Sequence, residues 1–197
     1  MSDAAALDEL IERVARGDRE AFAKLYRQSR PDVYRFAVHM CGSRAVAEDV
    51  VQDVFVAVIE FSVRYRPGGS GVVPWLLGIA RNHVRRLRNR RPVLPLPGED
   101  TDDGRLLAVE TDIVADLTGR RRRAALARAL IELPARYREA IVLCDLQELS
   151  YEAAASVLGC AIGTVRSRLH RGRALLFREV CDKERLVMCP LPAGRHS

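Results

Sequence analysis

The fold is decided by the stretch Ser150-Tyr-Glu-Ala-Ala-Ala-Ser-Val-Leu-Gly-Cys-Ala-Ile-Gly-Thr-Val-Arg-Ser-Arg-Leu-His-Arg-Gly-Arg173. Ser150 is a typical N-cap for a short first helix, and Gly159 can adopt the left-handed conformation that ends such a helix. A second segment with helical periodicity begins within three residues of Gly159. Two helices joined this closely must cross steeply, so the stretch predicts a helix-turn-helix.

The second helix of this motif has two distinct sides when its residues are placed about 100° apart. The inner side carries Ile162, Val165, Leu169, Gly172 and Leu176. The outward side carries Ser167, His170, Arg171 and Ala174, with Thr164 and Arg166 at its edges. We expect the inner side to pack on the first helix through Ala154, Ala155 and Leu158.

The outward side has the chemistry of a DNA-binding surface. Guanidinium groups and small hydroxyls contact base edges and phosphates. An ordinary solvated helix face is the alternative, but the spacing of Ala155, Gly159 and Val165 favours DNA binding.

The charge of the chain is also consistent with a nucleic-acid partner. The 197 residues carry 32 basic and 26 acidic side chains, a net charge of +6, and Lys24 and Lys183 are the only lysines. Arginines concentrate in residues 81–91, 120–123 and 166–173, whereas acidic residues gather in 99–116. Separate basic segments of this kind favour binding to a polyanion.

Length and composition limit the classes of protein to which this chain can belong. With 48% hydrophobic residues, the chain can form one or two domains with real cores. The N-terminal sequence lacks the basic start and apolar run of an export signal, and we find no transmembrane stretch, so we predict a cytoplasmic protein without membrane insertion. Five cysteines without a CxxC pair argue against a disulfide framework and a zinc site, and we predict no metal and no cofactor.

The order of predicted elements indicates an all-α protein made of two small helical domains joined by a flexible linker. Helical periodicity fills residues 8–91, and prolines, glycines and acidic residues then interrupt it. We predict a first domain at 8–91, a linker at 92–119, a helix-turn-helix domain at 120–181 that ends at Cys181, and a tail at 182–197 that holds Cys189.

The first predicted domain contains an amphipathic helix with an acidic side. Its apolar stripe consists of Ala47, Val50, Val51, Val54, Phe55 and Val58. The opposite side carries Glu48, Asp49, Gln52 and Asp53. On this segment alone a solvated surface is the expected role, and a protein-binding face is the alternative.

The segment from Pro74 to Arg91 joins the only tryptophan, Trp75, to an arginine-rich helix with Asn82 and His83 where the chain turns basic. A lone tryptophan is more often a core residue than a stacking platform. Beside these arginines, however, it indicates binding of single-stranded or melted nucleic acid, where stacking and backbone charge act together.

Taken together, these segments resemble bacterial RNA polymerase sigma factors of the extracytoplasmic function (ECF) type, the fourth group of the sigma-70 family. The resemblance spans roughly residues 10–91 and 123–179. Its motifs are Gly17-Asp18 with Ala21-Phe22 and Tyr26, Ala47-Glu48-Asp49 with Val51-Gln52-Asp53, Trp75-Leu76 with Ile79-Ala80-Arg81-Asn82, and Ser150 to Arg173.

The resemblance implies partners and roles for these motifs. The partners are core RNA polymerase, through its β′ clamp and β subunits, promoter DNA, and an anti-sigma factor. The residues implied for polymerase binding are Glu48, Asp49, Gln52 and Asp53. Minus-10 melting and reading fall to Trp75, Arg81, Asn82, His83, Arg85 and Arg86, with Asn82 at a position where the family captures a flipped base with a loop residue. Minus-35 reading falls to Tyr151, Glu152, Thr164, Arg166, Ser167, Arg168, His170, Arg171 and Arg173.

Two other classes of protein fit less of the chain. A helix-turn-helix regulator that does not bind polymerase explains the C-terminal motif but leaves the acidic helix and the Trp75 segment without a role. An enzyme is disfavoured because the sequence shows no nucleophile and base constellation and no phosphate-binding glycine loop.

Overall fold

The computed structural model describes the backbone of residues 3–67, 69–90 and 117–188 and the side chains of 5–67, 69–89 and 123–181. All elements in these ranges are helical, which confirms the all-α fold class. Most of the predicted linker and Cys189 lie outside the described residues. Helix begins at Leu117, inside the segment predicted as linker, and continues to Met188, inside the predicted tail.

The described helices form two units, which we call the N-terminal and the C-terminal unit. The N-terminal unit consists of α1 (Asp3–Ala15), α2 (Arg19–Cys41), α3 (Arg44–Phe61), a 3-10 turn (Ser62–Arg64) and α4 (Val72–Arg90). The C-terminal unit consists of α5 (Leu117–Glu132), α6 (Ala135–Ile141), a π-helical turn (Val142–Leu146), α7 (Tyr151–Leu158) and α8 (Ile162–Met188).

Helix ends in the N-terminal unit are fixed by short polar side chains and one glycine. The Asp18 carboxylate accepts a hydrogen bond from the Ala21 N–H at 3.0 Å, and the Ser43 hydroxyl accepts one from the Val46 N–H at 3.4 Å. Gly42 closes α2 with a φ of 67°, a left-handed conformation that costs glycine little. These local signals allow α2 to reverse directly into α3.

The core of the N-terminal unit is built around α3. All six residues of its predicted apolar stripe are buried, which confirms the stripe. Phe22 and Tyr26 of α2 place their rings edge-on against Phe55, with centroids 6.3 and 4.7 Å apart. With its apolar side held against α2 and α4, α3 can present only the opposite side to a partner.

The C-terminal unit is organised by the close crossing of α6 and α8. Val165 and Leu169 are buried together with Ala154, Ala155 and Leu158, as predicted for the inner side of α8. The prediction that Ile162 belongs to this side is wrong, because its side chain is exposed. Gly172 shows why that side needs a residue without a side chain. A Cβ atom added there would lie 3.0 Å from Ile141 Cδ1 and 3.2 Å from Tyr137 Cβ.

The two units pack directly on each other. Helices α2 and α4 of the N-terminal unit contact α5, α6, α7 and the π-helical turn of the C-terminal unit. One apolar contact joins Gly42 to Ile131, since a Cβ atom at Gly42 would lie 3.2 Å from the isoleucine side chain. The flexible join expected from the sequence thus connects units that share an interface in this structure.

Candidate functional site

The predicted helix-turn-helix is present as α7 and α8. The Ser150 hydroxyl accepts a hydrogen bond from the Ala153 N–H at 3.1 Å, and Gly159 adopts a φ of 62°. Both the predicted N-cap and the predicted left-handed turn are therefore confirmed. Because Val165 and Leu169 are buried, the orientation of α8 about its own axis is fixed.

The outward side of α8 is open to solvent. Ser167, His170 and Arg171 are exposed, and Thr164 is half-buried beside them. The Ser167 hydroxyl donates to the Thr164 carbonyl at 3.0 Å, and its oxygen can still accept a hydrogen bond. This face therefore needs no rearrangement to meet a groove of DNA.

The other predicted arginines of α8 are held against neighbours within the C-terminal unit. Arg166 lies over the Tyr151 ring, 5.7 Å from its centroid, and Arg168 Nη1 lies 3.9 Å from Cys160 Sγ. Arg173 Nε donates to Asp145 Oδ2 at 2.9 Å, and this carboxylate raises the pKa of Arg173. Guanidinium groups thus stand around the rim of the exposed face.

Tyr151 and Glu152 begin α7 at the edge of the same face, and both are exposed. Hydrogen bonds from its own backbone N–H and from the Ser150 hydroxyl lower the pKa of Glu152. A carboxylate in this position is anionic at neutral pH and can accept a hydrogen bond from a cytosine amino group.

The predicted minus-10 residues lie along α4. Trp75 is half-buried and contacts the Tyr65 ring edge-on, at 5.4 Å between centroids. His83 Nδ1 lies 3.3 Å from Asp53 Oδ2, so it joins α4 to the acidic side of α3. Arg85 and Arg86 are exposed. Asn82 is exposed and lies within the helix α4, so the expectation that it lies in a loop is wrong. Its role in capturing a flipped base stays a prediction.

Asn82 and Trp75 open onto a cavity of about 490 Å³ that the sequence did not predict. Its other wall includes Arg64, Arg66 and Ser70, which precede α4. The signal for this wall was the proline and glycine run from Arg66 to Gly71 between two helical patterns. Two guanidinium groups, an aromatic ring and an amide around one cavity can hold a planar base and its phosphate.

Arg81 differs from the other predicted minus-10 residues because it is engaged across the interface between the units. Its side chain is only 13% exposed. Nε donates to Glu139 Oε2 at 2.9 Å, and Nη1 donates to the Val157 carbonyl at 3.3 Å. Arg81 is thus directed at the C-terminal unit in this conformation.

The acidic side of α3 is exposed at Asp49, Gln52 and Asp53. Glu48 is half-buried, and both of its carboxylate oxygens accept hydrogen bonds from Arg30 Nη2, at 2.9 and 3.0 Å. One helical turn beyond Gln52 the same side becomes apolar, and Val56 and Ile59 are 58% and 61% exposed. The sequence pattern contained this apolar extension, since Val56 follows Gln52 at helical spacing.

The described residues contain neither a candidate metal site nor a candidate membrane span. Among those residues, no group of His, Cys, Asp and Glu side chains could hold a metal ion. None of the described helices is long and apolar enough to cross a membrane.

Family models match both units. The model of sigma-70 region 2 matches residues 25–92, and the model of sigma-70 region 4 matches residues 123–176. The first match contains α3, α4 and most of α2, and the second contains the helix-turn-helix.

Similar proteins carry the same assignment. The chain is 36% identical over 165 residues to the ECF RNA polymerase sigma factor SigE of Mycolicibacterium smegmatis, an alignment that spans 82% of this chain and 63% of that protein. It is 35% identical over 164 residues to the RNA polymerase sigma factor CarQ of Myxococcus xanthus, across 82% of this chain and 90% of CarQ.

Two solved structures have the same fold at 26% sequence identity. CnrH in complex with the cytosolic domain of CnrY aligns with a TM-score of 0.68, covering 89% of this chain and 97% of CnrH. The sigma factor RpoE in complex with the anti-sigma factor NepR from Bartonella quintana aligns with a TM-score of 0.64, covering 81% and 96%. Family models, relatives and structures agree, and they decide against an unrelated helix-turn-helix regulator: the chain belongs to the sigma-70 family and is a sigma factor of the ECF type.

Proposed function

We propose that this protein binds core RNA polymerase through α3, reads the minus-35 element through α8 and holds the melted minus-10 element along α4. The observation that carries the proposal is the exposed side of α8, fixed by the buried Val165 and Leu169. In this role the chain does not itself catalyse the formation of covalent bonds. It recruits and opens the promoter, and polymerase supplies the chemistry.

Docking on polymerase is assigned to the exposed side of α3. Asp49, Gln52 and Asp53 would contact the β′ clamp, and Glu48 would be oriented by its two hydrogen bonds from Arg30. The neighbouring Val56 and Ile59 add apolar area to the same side of the helix. An interface with an apolar centre and a polar rim is typical of specific protein contacts. The C-terminal unit would contact the β subunit.

Minus-35 reading is assigned to α8 in the major groove. Arg171 and His170 would contact base edges, while Ser167 and Thr164 would contact bases or phosphates. Tyr151, Glu152, Arg166, Arg168 and Arg173 stand around this face and would set the register of the helix on the duplex.

Minus-10 melting is assigned to the cavity beside α4 and to the basic residues along the helix. Trp75 and Asn82 would hold an unstacked base of the non-template strand, and His83, Arg85 and Arg86 would lie along its backbone. Unstacking a base costs a few kcal/mol, which such contacts offset. Arg81 would join them once it is released from Glu139.

Control by an anti-sigma factor is part of the same proposal. The two solved structures described above were determined as complexes, one with an anti-sigma factor and one with the cytosolic domain of CnrY. A protein of that kind would cover the polymerase-binding or DNA-binding faces. The protein would act where polymerase acts, in the bacterial cytoplasm.

The test combines a pull-down of core polymerase with run-off transcription from promoters selected with the parent protein. The parent should bind core enzyme and start transcripts at defined sites. The variant Asp49→Ala with Gln52→Ala should lose both activities but keep its thermal stability, because both side chains are exposed. Glu20→Ala, an exposed acid of α2, is the matched control and should behave as the parent.

Two results would contradict the proposal. A parent protein that fails to bind core polymerase would remove the sigma function as a whole. A double variant that binds core enzyme as well as the parent would remove only the assignment of docking to α3.

A further inference from the structure

The aromatic wall of the cavity beside α4 is held by a side chain from another helix. Trp75 contacts the Tyr65 ring edge-on, at 5.4 Å between centroids. Both residues line the cavity together with Asn82. Tyr65 is 8% exposed, so the elements packed around it determine where its ring lies. The position of Tyr65 therefore limits where the Trp75 ring can lie.

The hydroxyl of Tyr65 is bonded to α1. It donates a hydrogen bond to Asp8 Oδ1 at 2.5 Å, although the two residues are 57 positions apart. Burial raises the pKa of the Tyr65 phenol, and the hydrogen bond to Asp8 raises it further. The phenol is therefore protonated at neutral pH and can donate to the carboxylate. Hydrogen bonds to a charged acceptor are stronger than those between neutral groups.

Helix α1 is itself fixed on the N-terminal unit. Leu10, Ile11 and Val14 are buried in the hydrophobic core. Beyond the last of them, Arg13 Nε and Nη2 donate to Asp18 Oδ2 at 2.9 and 2.7 Å and tie the end of α1 to the start of α2. Because its helix is fixed in this way, Asp8 gives Tyr65 a rigid point of attachment.

Tyr65 also connects the aromatic wall of the cavity to its basic wall. Its N–H donates to the Ser62 carbonyl at 3.0 Å, and its own carbonyl accepts a hydrogen bond from Arg66 Nη1 at 3.3 Å. Arg64 and Arg66 flank Tyr65 in the sequence, and both line the cavity. A displacement of Tyr65 would therefore disturb both walls.

We infer that Asp8 is a positioning residue for the minus-10 cavity and acts through Tyr65 on Trp75. The inference rests on the proposed minus-10 role of α4. Helix α1 precedes residues 25–92, which the region 2 model matches, so the inference gives a role in promoter melting to a helix outside that match. A ring that is in place before the base arrives loses less freedom on binding, which strengthens the contact.

The first measurement follows the Trp75 ring in the free full chain. Trp75 is the only tryptophan, so intrinsic fluorescence and its quenching by acrylamide report on this ring alone. Tyr65→Phe removes only the hydroxyl, and Asp8→Ala removes its acceptor. Each variant should raise the quenching constant by about twofold or more, as expected for the loss of one hydrogen bond. Asp8→Asn keeps an oxygen that can accept this bond and should restore the parent value.

The second measurement is strand binding by the complex of the full chain with core polymerase. The probe is a forked fragment of a promoter selected with the parent protein, with the minus-10 non-template strand exposed. Tyr65→Phe and Asp8→Ala should each weaken its binding, measured by fluorescence anisotropy, by about threefold to tenfold. Asp8→Asn should bind as the parent does. Binding of core polymerase, and binding of minus-35 duplex by the free chain, should not change in any of these variants.

Controls separate loss of this bond from general changes in α1. Glu9→Ala removes an exposed acid next to Asp8 and should match the parent in both measurements. The double variant Asp8→Ala with Tyr65→Phe should be no weaker than either single variant, because both changes break the same bond. Thermal unfolding is measured for every variant. Should Tyr65→Phe unfold, the substitutions of the half-buried Asp8 carry the test.

The possible failures are distinguishable. Quenching and strand binding at the parent values in Tyr65→Phe and Asp8→Ala would overturn the inference and leave the minus-10 assignment intact. Altered quenching without weaker strand binding would overturn it too, as would effects that add in the double variant. Failure of the parent complex to bind the exposed strand would instead remove the minus-10 assignment and the inference with it.

Discussion

The two surfaces that we propose to bind DNA differ in how accessible they are in this structure. The outward side of α8 is exposed, and the buried Val165 and Leu169 behind it fix its orientation. The surface along α4 is incomplete, because Arg81 is 13% exposed and α7 lines one wall of the cavity beside Trp75. The proposed minus-35 surface is accessible in this conformation, whereas the C-terminal unit lies against part of the proposed minus-10 surface.

The difference follows from how each surface is assembled. The outward side of α8, which we call the reading surface, is formed by residues close together in sequence, since Ser150, Gly159 and Leu169 lie within one motif. The surface of Trp75, Arg81 and Asn82 along α4, which we call the melting surface, depends on contacts between residues far apart in sequence. Arg81 and Val157, for example, are 76 positions apart. Local contacts persist when the units separate, whereas contacts between units do not. The proposed minus-10 surface therefore depends on the interface between the units, and the proposed minus-35 surface does not.

A thiol at the interface provides the largest expected effect. Burial raises the pKa of Cys41 from 9.0 to about 11, against the influence of the nearby Arg138. At pH 8 the thiolate fraction, and with it the alkylation rate, should be about a hundredfold below that of an ordinary thiol. Mass spectrometry of alkylated peptides across pH 7 to about 11 measures this rate. A Cys41 midpoint near 9 would show that the interface is open in solution.

The raised pKa of Cys41 also predicts how the stability of the fold changes with pH. The folded pKa of Cys41 is raised, so its contribution is fully present below pH 9 and is lost between pH 9 and about 11. In that window the unfolded chain releases a proton that the folded chain retains. Chemical denaturation at the two ends of the window should show lower stability at the alkaline end, with Cys41→Ser as the comparison.

The reading surface should depend strongly on single side chains. Arg171→Ala should cost about 1 to 3 kcal/mol at the cognate minus-35 element and relax the preference at one or two base pairs. The exposed Arg178 lies farther along α8, so Arg178→Ala is the matched control. Competition binding with a set of single-base substitutions measures both variants. An Arg171 variant that loses affinity equally for all sequences would make Arg171 a phosphate contact.

A substitution on the melting surface should impair promoter opening and leave duplex binding unchanged. Asn82→Ala should reduce promoter opening by about tenfold, the loss of one base contact, while minus-35 binding stays at the parent value. Asn89→Ala lies two turns along the same exposed helix and should have little effect. Permanganate footprinting on duplex and pre-melted promoters separates opening from binding. Normal opening of duplex promoter by the Asn82 variant would exclude its role in holding a flipped base.

Much of the fold could be predicted because its signals are local. Ser150 and Gly159 end their helices through contacts within a few residues, and the apolar stripes of α3 and α8 follow one helical period. The need for glycine at position 172 could not be predicted from the stripe alone. It depends on Ile141 and Tyr137, which α6 brings within 3.0 and 3.2 Å of a Cβ atom at that position.

The candidate site was predictable in its residue types but not in their partners. Arg81 could be grouped with Asn82 because the two residues are adjacent in a basic helix. Glu139 and the loop residues Arg66 and Ser70 could not be identified, because they meet α4 only through tertiary packing. Charge pattern along a chain shows which side chains can bind DNA, whereas their availability depends on which other unit lies against them.

The smallest expected effect distinguishes two roles of Arg173 at the edge of the reading surface. Its guanidinium is paired with Asp145 in the free protein, at 2.9 Å between Nε and Oδ2. If Arg173 leaves Asp145 to contact a phosphate, Arg173→Ala should weaken binding to all sequences alike and reduce the salt slope of log affinity by about one unit. Asp145→Asn should then strengthen binding, because the arginine no longer has to leave a carboxylate. If Arg173 instead stays with Asp145 on DNA, the slope will not change in either variant. That result would make the pair a structural link between α8 and the π-helical turn, and it would remove Arg173 from the residues proposed to contact DNA.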